Sequence, residues 1–204
     1  MKTILLTGAS GGIGVAIRES LERDGHTVIV TDRKETDLTL PEAIQELFST
    51  IGKIDAIVCS HGYIDSANSF AEQSIEALQK TFAINTLSVA YLARQFPDVD
   101  MIVLSSTAAL SPNGKYPAYS ASKAAVNVLM QNLARHRPEH LYVTICPGAT
   151  NTKMREKIAH DAAQHQSPIE VASLVADIIS GKEAVQTGDI WVVRDGERSR
   201  VSGV

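Results

Sequence analysis

Two spacings in the chain are suited to chemistry. Near its start, Thr7-Gly8-Ala9-Ser10-Gly11-Gly12-Ile13-Gly14 follows a short apolar run and opens a segment of helical periodicity. Such a turn lets the backbone approach a pyrophosphate closely and aims a helix N-terminus at it. Gly8, Gly12 and Gly14 meet that demand, with Ser10, Gly11 and Ile13 counted in the same site. The pattern is Gly-x-x-x-Gly-x-Gly, which departs from the Gly-x-Gly-x-x-Gly of the standard dinucleotide fingerprint. Asp32 stands eighteen residues beyond Gly14, at the end of the second apolar run. A carboxylate there accepts from both ribose hydroxyls and repels a 2′-phosphate, whereas the adjacent Arg33 could pair with that phosphate. The two signals conflict. With no basic residue inside the glycine turn, the balance leans toward NAD over NADP.

The second spacing is Tyr119-x-x-x-Lys123. Residues four apart share a helical face, so the two side chains project together. A phenol has a reference pKa near 10 and is a poor acid–base catalyst at neutral pH. A nearby ammonium favours the phenolate and draws that pKa toward the working range, and an oxidised nicotinamide would add a second positive charge.

These residues need a frame, and the apolar pattern predicts one. Short Val- and Ile-rich runs at Thr3–Thr7, Thr27–Thr31, Asp55–Cys59, Met101–Ser105, Tyr142–Cys146 and Ile190–Val193 read as strands buried on both faces. Helical segments are predicted at Gly12–Arg23, Pro41–Ile51, Ile75–Gln95, Ser120–Arg135 and Pro168–Ser180. Gly25 suits the left-handed position after the first helix and Pro41 the first turn of the second, while Pro138 closes the region after the fourth. Strand–helix alternation predicts a doubly wound α/β parallel sheet with right-handed crossovers. At 204 residues, with no repeat or linker, the chain reads as a single domain over 1–204.

Composition narrows the class. The chain is 44% hydrophobic and 21% charged, close to an average globular protein, and its net charge of −4 removes the electrostatic footprint of a nucleic-acid binder. No apolar run approaches a membrane span, and the first residues are too short in apolar content for a signal peptide, so a soluble, cytoplasmic protein is expected. Cys59 and Cys146 are too few for a disulfide framework or a cysteine zinc site. His136 and His140 share a helical spacing but have Pro138 between them, and no metal site is expected.

Together these pieces resemble the short-chain dehydrogenase/reductase family over nearly the whole chain. The matching residues are Thr7-Gly8-x-x-x-Gly12-x-Gly14, Asp32, Asn85 in Ile84-Asn85-Thr86, Ser105-Ser106, Tyr119-x-x-x-Lys123 and Pro147-Gly148-x-x-x-Thr152. The resemblance implies a compact Rossmann-type domain and hydride transfer between C4 of a nicotinamide and a small carbonyl or secondary alcohol. Tyr119 would be the general acid or base, Lys123 would lower its pKa and hold the nicotinamide ribose, and Ser106 would bond the substrate oxygen. Asn85 would support a water relay from Lys123. Pro147 and Gly148 would shape the backbone beside the nicotinamide, and Thr152 would bond its carboxamide. The stretch Thr187–Val193 looks like the family's last strand, and homodimers or homotetramers through Ile75–Gln95 and Ser120–Arg135 are implied.

The chain also departs from that pattern. Where the family has Asn-Asn-Ala-Gly, it has Cys59-Ser60-His61-Gly62, and only Gly62 is kept. The expectation for His61 is a spacer satisfied by backbone, with a catalytic histidine as the other reading. Cys59 and Cys146 are expected two strand spacings apart, roughly 9.5 Å, beyond disulfide reach. The stretch Lys153–Gln166 is short where relatives carry a substrate lid, which suggests an open or small pocket. A dinucleotide-binding sensor without turnover is the alternative function, favoured by the Cys59–His61 departure. Isomerisation through a transient ketone is a third.

Overall fold

The structure, a computed structural model, describes residues 1–31, 36–66, 70–111, 114, 116–158 and 165–201. Seven strands form one sheet: β1 (Thr3–Thr7), β2 (Thr27–Thr31), β3 (Ala56–Cys59), β4 (Asp100–Leu104), β5 (Tyr142–Pro147), β6 (Ile190–Arg194) and β7 (Glu197–Arg200). Their order is β2-β1-β3-β4-β5-β6-β7, parallel except for β7. The expected Rossmann-type doubly wound sheet is present. From β1 the chain steps outward to β2, then crosses to the other side as β3. That reversal leaves a crevice beyond the carboxyl ends of β1 and β3, the place where such sheets bind ligands.

The six-strand dinucleotide order, 3-2-1-4-5-6, has one more strand on the side of β2. Among the described residues β2 is the edge of this sheet. The shortness expected only after Thr152 is therefore also a shortness of the sheet.

Period-two alternation divides the core between the two faces. Ile4, Leu6, Val58, Ile102 and Leu104 pack toward α1 (Gly12–Arg23) and α7 (Pro168–Ile179) through Ile17, Leu21, Val171 and Leu174. Leu5, Ile57, Met101 and Val103 pack toward α2 (Pro41–Thr50), α4 (Ser88–Gln95) and α5 (Pro117–His136) through Ile44, Leu92, Val126 and Met130. Each such buried side chain contributes about 1.5–3 kcal/mol of transfer free energy, which makes the strand ends a firm base for the site.

Several expectations are corrected. The predicted helix Ile75–Gln95 is three pieces: α3 (Ile75–Phe82), a π-helical turn (Ala83–Leu87) and α4. The inserted turn coincides with polar ties inside the fold, where Asn85 bonds the backbone of Tyr63 and Thr86 donates to the carbonyl of Ser122 at 2.9 Å. The helix expected from Ser120 starts at Pro117, whose missing N–H costs nothing at that position. The strand expected to be last is followed by β7, an antiparallel hairpin partner. Its turn uses Asp195 and Gly196, both at positive φ, and Arg198 holds it down on Asp177 at 2.8 Å. The short helix α6 (Lys153–Glu156) and the 3₁₀ turns at Phe70–Glu72 and Thr107–Ala109 were not foreseen. Cys59 and Cys146 lie on β3 and β5 with β4 between them, both buried and free, as expected. No described helix is long and apolar enough to cross a membrane.

Candidate active site

The glycine turn closes by local bonds. Gly8 N–H donates to Thr31 at 3.0 Å and Gly11 N–H to Gly8 at 3.1 Å, and α1 then starts from Gly11 with no side-chain cap and no acid in its first turn. The N–H groups of that first turn are thus left for an anion. Gly8 sits at φ +70°, and a Cβ there would meet the His61 backbone nitrogen at 2.6 Å. At Gly12 it would meet the Thr152 methyl at 2.9 Å, and at Gly14 it would strike the Gly8 carbonyl oxygen. Side chains are thus excluded by the His61 backbone at Gly8, by the Thr152 side chain at Gly12 and by the turn's own backbone at Gly14.

Behind the turn, a cavity of about 690 Å³ joins most of the sequence-predicted residues. Ser10, Gly11, Gly12, Ile13 and Gly14 line one part of it, and Ser106, Tyr119 and Lys123 another. Gly62, Pro147, Gly148 and Thr152 complete the predicted set that it touches. Gly8 lines an adjoining cavity of about 250 Å³ with Thr31 and residues 36–39. Asp32 and Arg33, on which the choice between NAD and NADP was read, lie outside the described residues.

Tyr119 and Lys123 project from the first turns of α5. The Lys123 ammonium, 4% exposed, donates to the Leu104 carbonyl at 2.7 Å at the end of β4. Burial pulls its pKa down to about 8. The phenol is not lowered as the spacing led us to expect: burial pushes it above its usual value, against a smaller opposing effect of the Ser106 hydroxyl. The physical reason is that desolvation penalises the phenolate while the ammonium is spent on a backbone oxygen. Ser106 itself caps the 3₁₀ turn after β4, accepting from Ala108 N–H at 3.1 Å.

Asn85 does not line the cavity; it sits behind it, 1% exposed. Its amide nitrogen donates to the Tyr63 carbonyl and to Ser122 Oγ, both at 2.9 Å, and its oxygen accepts from Tyr63 N–H at 2.7 Å. Both N–H donors are thus engaged, and one lone pair of the oxygen remains. A Cβ on Gly62 would lie 3.5 Å from Lys123 Nζ and 3.6 Å from that oxygen, ordinary contact distances that place this wall beside both groups.

Pro147 ends β5, and Gly148 N–H is held by Val193 at 2.8 Å, with Arg194 packed where a side chain on Gly148 would be. Thr152 caps α6, accepting from Arg155 N–H at 3.2 Å.

His61 is held by two side-chain hydroxyls with the Ile84 backbone beside them, where backbone alone was expected. Its Nδ1 is 2.6 Å from Thr7 Oγ1 and its Nε2 2.7 Å from Ser88 Oγ, and burial lowers its pKa to about 3. Sequence reasoning missed Ser122, which joins Asn85 to the carbonyl of Tyr119, and Tyr116, whose hydroxyl reaches the Ile158 carbonyl across the cavity at 3.0 Å. Ser122 lay inside the Tyr-x-x-x-Lys segment, one residue before Lys123, and its place there was the available signal.

A glycine turn with an uncapped helix start shares one cavity with serine, tyrosine and lysine in a doubly wound sheet, in the crevice where such sheets bind ligands. The chain belongs to the short chain dehydrogenase family, whose model matches residues 34–163. It is 27% identical to an uncharacterized oxidoreductase of Schizosaccharomyces pombe, over 93% of this chain and 87% of that protein. It is 26% identical to a benzil reductase of Saccharomyces cerevisiae, over 77% of this chain and 74% of that one. A 3-ketoacyl-(acyl-carrier-protein) reductase from Brucella melitensis, crystallised with NADH, shares the fold at a TM-score of 0.87 and 19% identity, over 96% of this chain and 97% of that chain.

Proposed function

We propose that the protein moves hydride between C4 of a nicotinamide dinucleotide and a small ketone, aldehyde or secondary alcohol, with Tyr119 exchanging the proton. The observation that carries this reading is the single cavity lined by Ser106, Tyr119 and Lys123 together with the glycine turn. The benzil reductase among the similar proteins supports a ketone as the reducible partner.

The turn fits a dinucleotide on its own geometry. A Cβ at Gly8, Gly12 or Gly14 would collide, and the uncapped start of α1 leaves N–H groups for a pyrophosphate. A nicotinamide dinucleotide held there would supply or take the hydride and, when oxidised, would add positive charge to the site. In reduction Tyr119 donates its proton to the carbonyl oxygen, and in oxidation it takes the proton back. Ser106 bonds the same oxygen and aligns it. Lys123, with two N–H groups left after Leu104, holds the nicotinamide ribose. The remaining lone pair of Asn85 receives a water in the relay from Lys123. Pro147 and Gly148 shape the backbone beside the nicotinamide, and Thr152 bonds its carboxamide. Ser10, Gly11, Ile13 and Gly62 border the bound dinucleotide.

Asp32 favours NAD by accepting from the ribose hydroxyls, with Arg33 as the competing influence. Titration with NADH and NADPH tests this: the wild type should prefer NADH, and Asp32→Ala should erase or invert that preference. A tenfold or greater preference of the wild type for NADPH, about 1.4 kcal/mol, would give the pocket to Arg33.

Assembly as a homodimer or homotetramer through Ile75–Gln95 (α3, the π turn and α4) and α5 belongs to the same proposal. Val128 on α5 is 56% exposed, and Leu87, just before α4, 45%. Sedimentation at micromolar concentration tests it, and a monomer would refute it.

The decisive experiment is a screen of ketones and secondary alcohols with both cofactors, followed at the reduced-nicotinamide absorbance. Turnover of no carbonyl and no alcohol by a protein that binds cofactor would overturn the reading.

A further inference from the structure

The imidazole of His61 is engaged at both nitrogens, and its proton can be assigned. The Ser88 hydroxyl lies 2.6 Å from the Ile84 carbonyl and 2.7 Å from His61 Nε2, and donating to the carbonyl leaves it to accept from the ring. In that arrangement Nε2 carries the hydrogen. In the neutral ring Nδ1 is then an acceptor and takes the Thr7 hydroxyl at 2.6 Å. Neither nitrogen is left to exchange a proton with a substrate, which removes the catalytic reading of this histidine.

The two hydroxyls belong to different parts of the site. Thr7 is the last residue of β1 and leads into Gly8, the turn's first glycine, whose missing side chain leaves room for the His61 backbone. Ser88 opens α4 immediately after the π-helical turn that carries Asn85. Asn85 is bonded to Ser122, and Ser122 donates to the Tyr119 carbonyl at 2.8 Å. Hydrogen bonds thus tie the end of β1 through the imidazole to the start of α4, and the backbone of the π turn carries the connection on to Asn85, Ser122 and the helix that bears the phenol. Directed polar bonds of this kind favour one arrangement of the elements they join.

We propose that His61 is a positioning residue that bolts the nucleotide turn to the π turn and through it to α5, so that the cofactor site and Tyr119 are set by one network. The inference rests on the nucleotide reading of the glycine turn. It gives the Cys59-Ser60-His61-Gly62 departure a purpose: the histidine fills, with two directed bonds, a place between β1 and α4 that an alanine could only pack.

The test is a set of cofactor titrations, with NADH and with NADPH, on variants whose folding is checked by circular dichroism and melting. His61→Ala should weaken binding of the preferred cofactor about tenfold, the effect of losing hydrogen bonds that hold a preorganised site. Thr7→Val and Ser88→Ala should each weaken it too, and their double variant should be no worse than the poorer single, because either change already releases the ring. In the His61→Ala background neither should have a further effect. The pH profile of carbonyl reduction by His61→Ala should keep the shape of the wild-type profile. Unchanged affinity in a folded His61→Ala or Ser88→Ala protein, additive losses in the double variant, or the disappearance of an ionisation from the pH profile would each overturn the proposal. A wild type that binds neither cofactor would instead bring down the nucleotide reading itself.

Discussion

Lys123 gives its ammonium to the carbonyl of Leu104 at 2.7 Å, and no hydrogen bond joins it to Tyr119 one helical turn earlier. The backbone oxygen at the end of β4 fixes where the charge sits, while burial brings the ammonium down to about 8. The charge that favours a phenolate is present below that pH and lost above it. In the protein without cofactor, affinity for NADH or NADPH should therefore fall as pH rises through about 8, since the ribose loses a charged partner. Fluorescence titrations from mildly acidic to mildly alkaline pH should show the fall, and Lys123→Met should bind more weakly at every pH and show no such step.

Tyr119→Phe removes one hydroxyl and keeps the ring. Cofactor affinity and melting temperature should barely move, while turnover should drop by the ~10²–10⁴ typical of losing a general acid. Burial raises the free phenol, so the proton exchange must be eased once the cavity is filled. Steady-state oxidation of an accepted alcohol should accordingly rise with a group titrating below the ordinary phenol value of about 10. Near-normal turnover by Tyr119→Phe would remove Tyr119 from the chemistry.

Gly14→Val should abolish cofactor binding. A side chain there is driven into the Gly8 carbonyl and within 3.0 Å of Ala9 Cα, so the loop backbone itself must shift. Some loss of stability should accompany it, as overpacking at a rigid site costs roughly 1–3 kcal/mol. Calorimetric titration on the folded variant checks this, and wild-type affinity would contradict the assignment of the turn.

Acid should destabilise the fold through His61. Its folded pKa of about 3, set by burial and then by the positive charge of Lys123, lies below the ordinary histidine value of about 6.5. The unfolded chain binds the proton first, so stability is complete above about 6.5 and declines as pH falls toward 3. Between about pH 7.5 and pH 5 this one group accounts for at most ~2 kcal/mol, an upper figure because the ring is partly exposed. Urea unfolding at the two pH values should show the loss, and His61→Ala should show less of it. An equal loss in the variant would place the acid sensitivity elsewhere.

Much of this was legible in the residues. Runs such as Thr3–Thr7 and Thr27–Thr31 gave strands to the residue, because short apolar runs rich in β-branched residues favour extended backbone, although Thr27–Thr31 is only partly buried. The Gly8, Gly12 and Gly14 spacing placed the turn, since steric exclusion leaves glycine as a visible mark. The π turn was invisible because its cause is tertiary: Ile75–Gln95 keeps helical periodicity on both sides of Asn85, and only the contacts to Tyr63 and Ser122 locate the break. The hairpin strand Glu197–Arg200 was missed for its polarity, although Asp195-Gly196 was a turn signal in plain sight. The engagement of Lys123 with Leu104 and of His61 with two hydroxyls depends on which strand ends meet which helices. Nothing in a linear spacing records that.

A sheet that ends at β2 also separates two parts of the site. The groups proposed to handle the proton hang from β4, α5 and the π turn in the middle of the molecule, while β2 contributes Thr31 to the smaller cavity at the margin. A change at that margin is therefore separated from the proposed reacting centre by the width of β1 and β3.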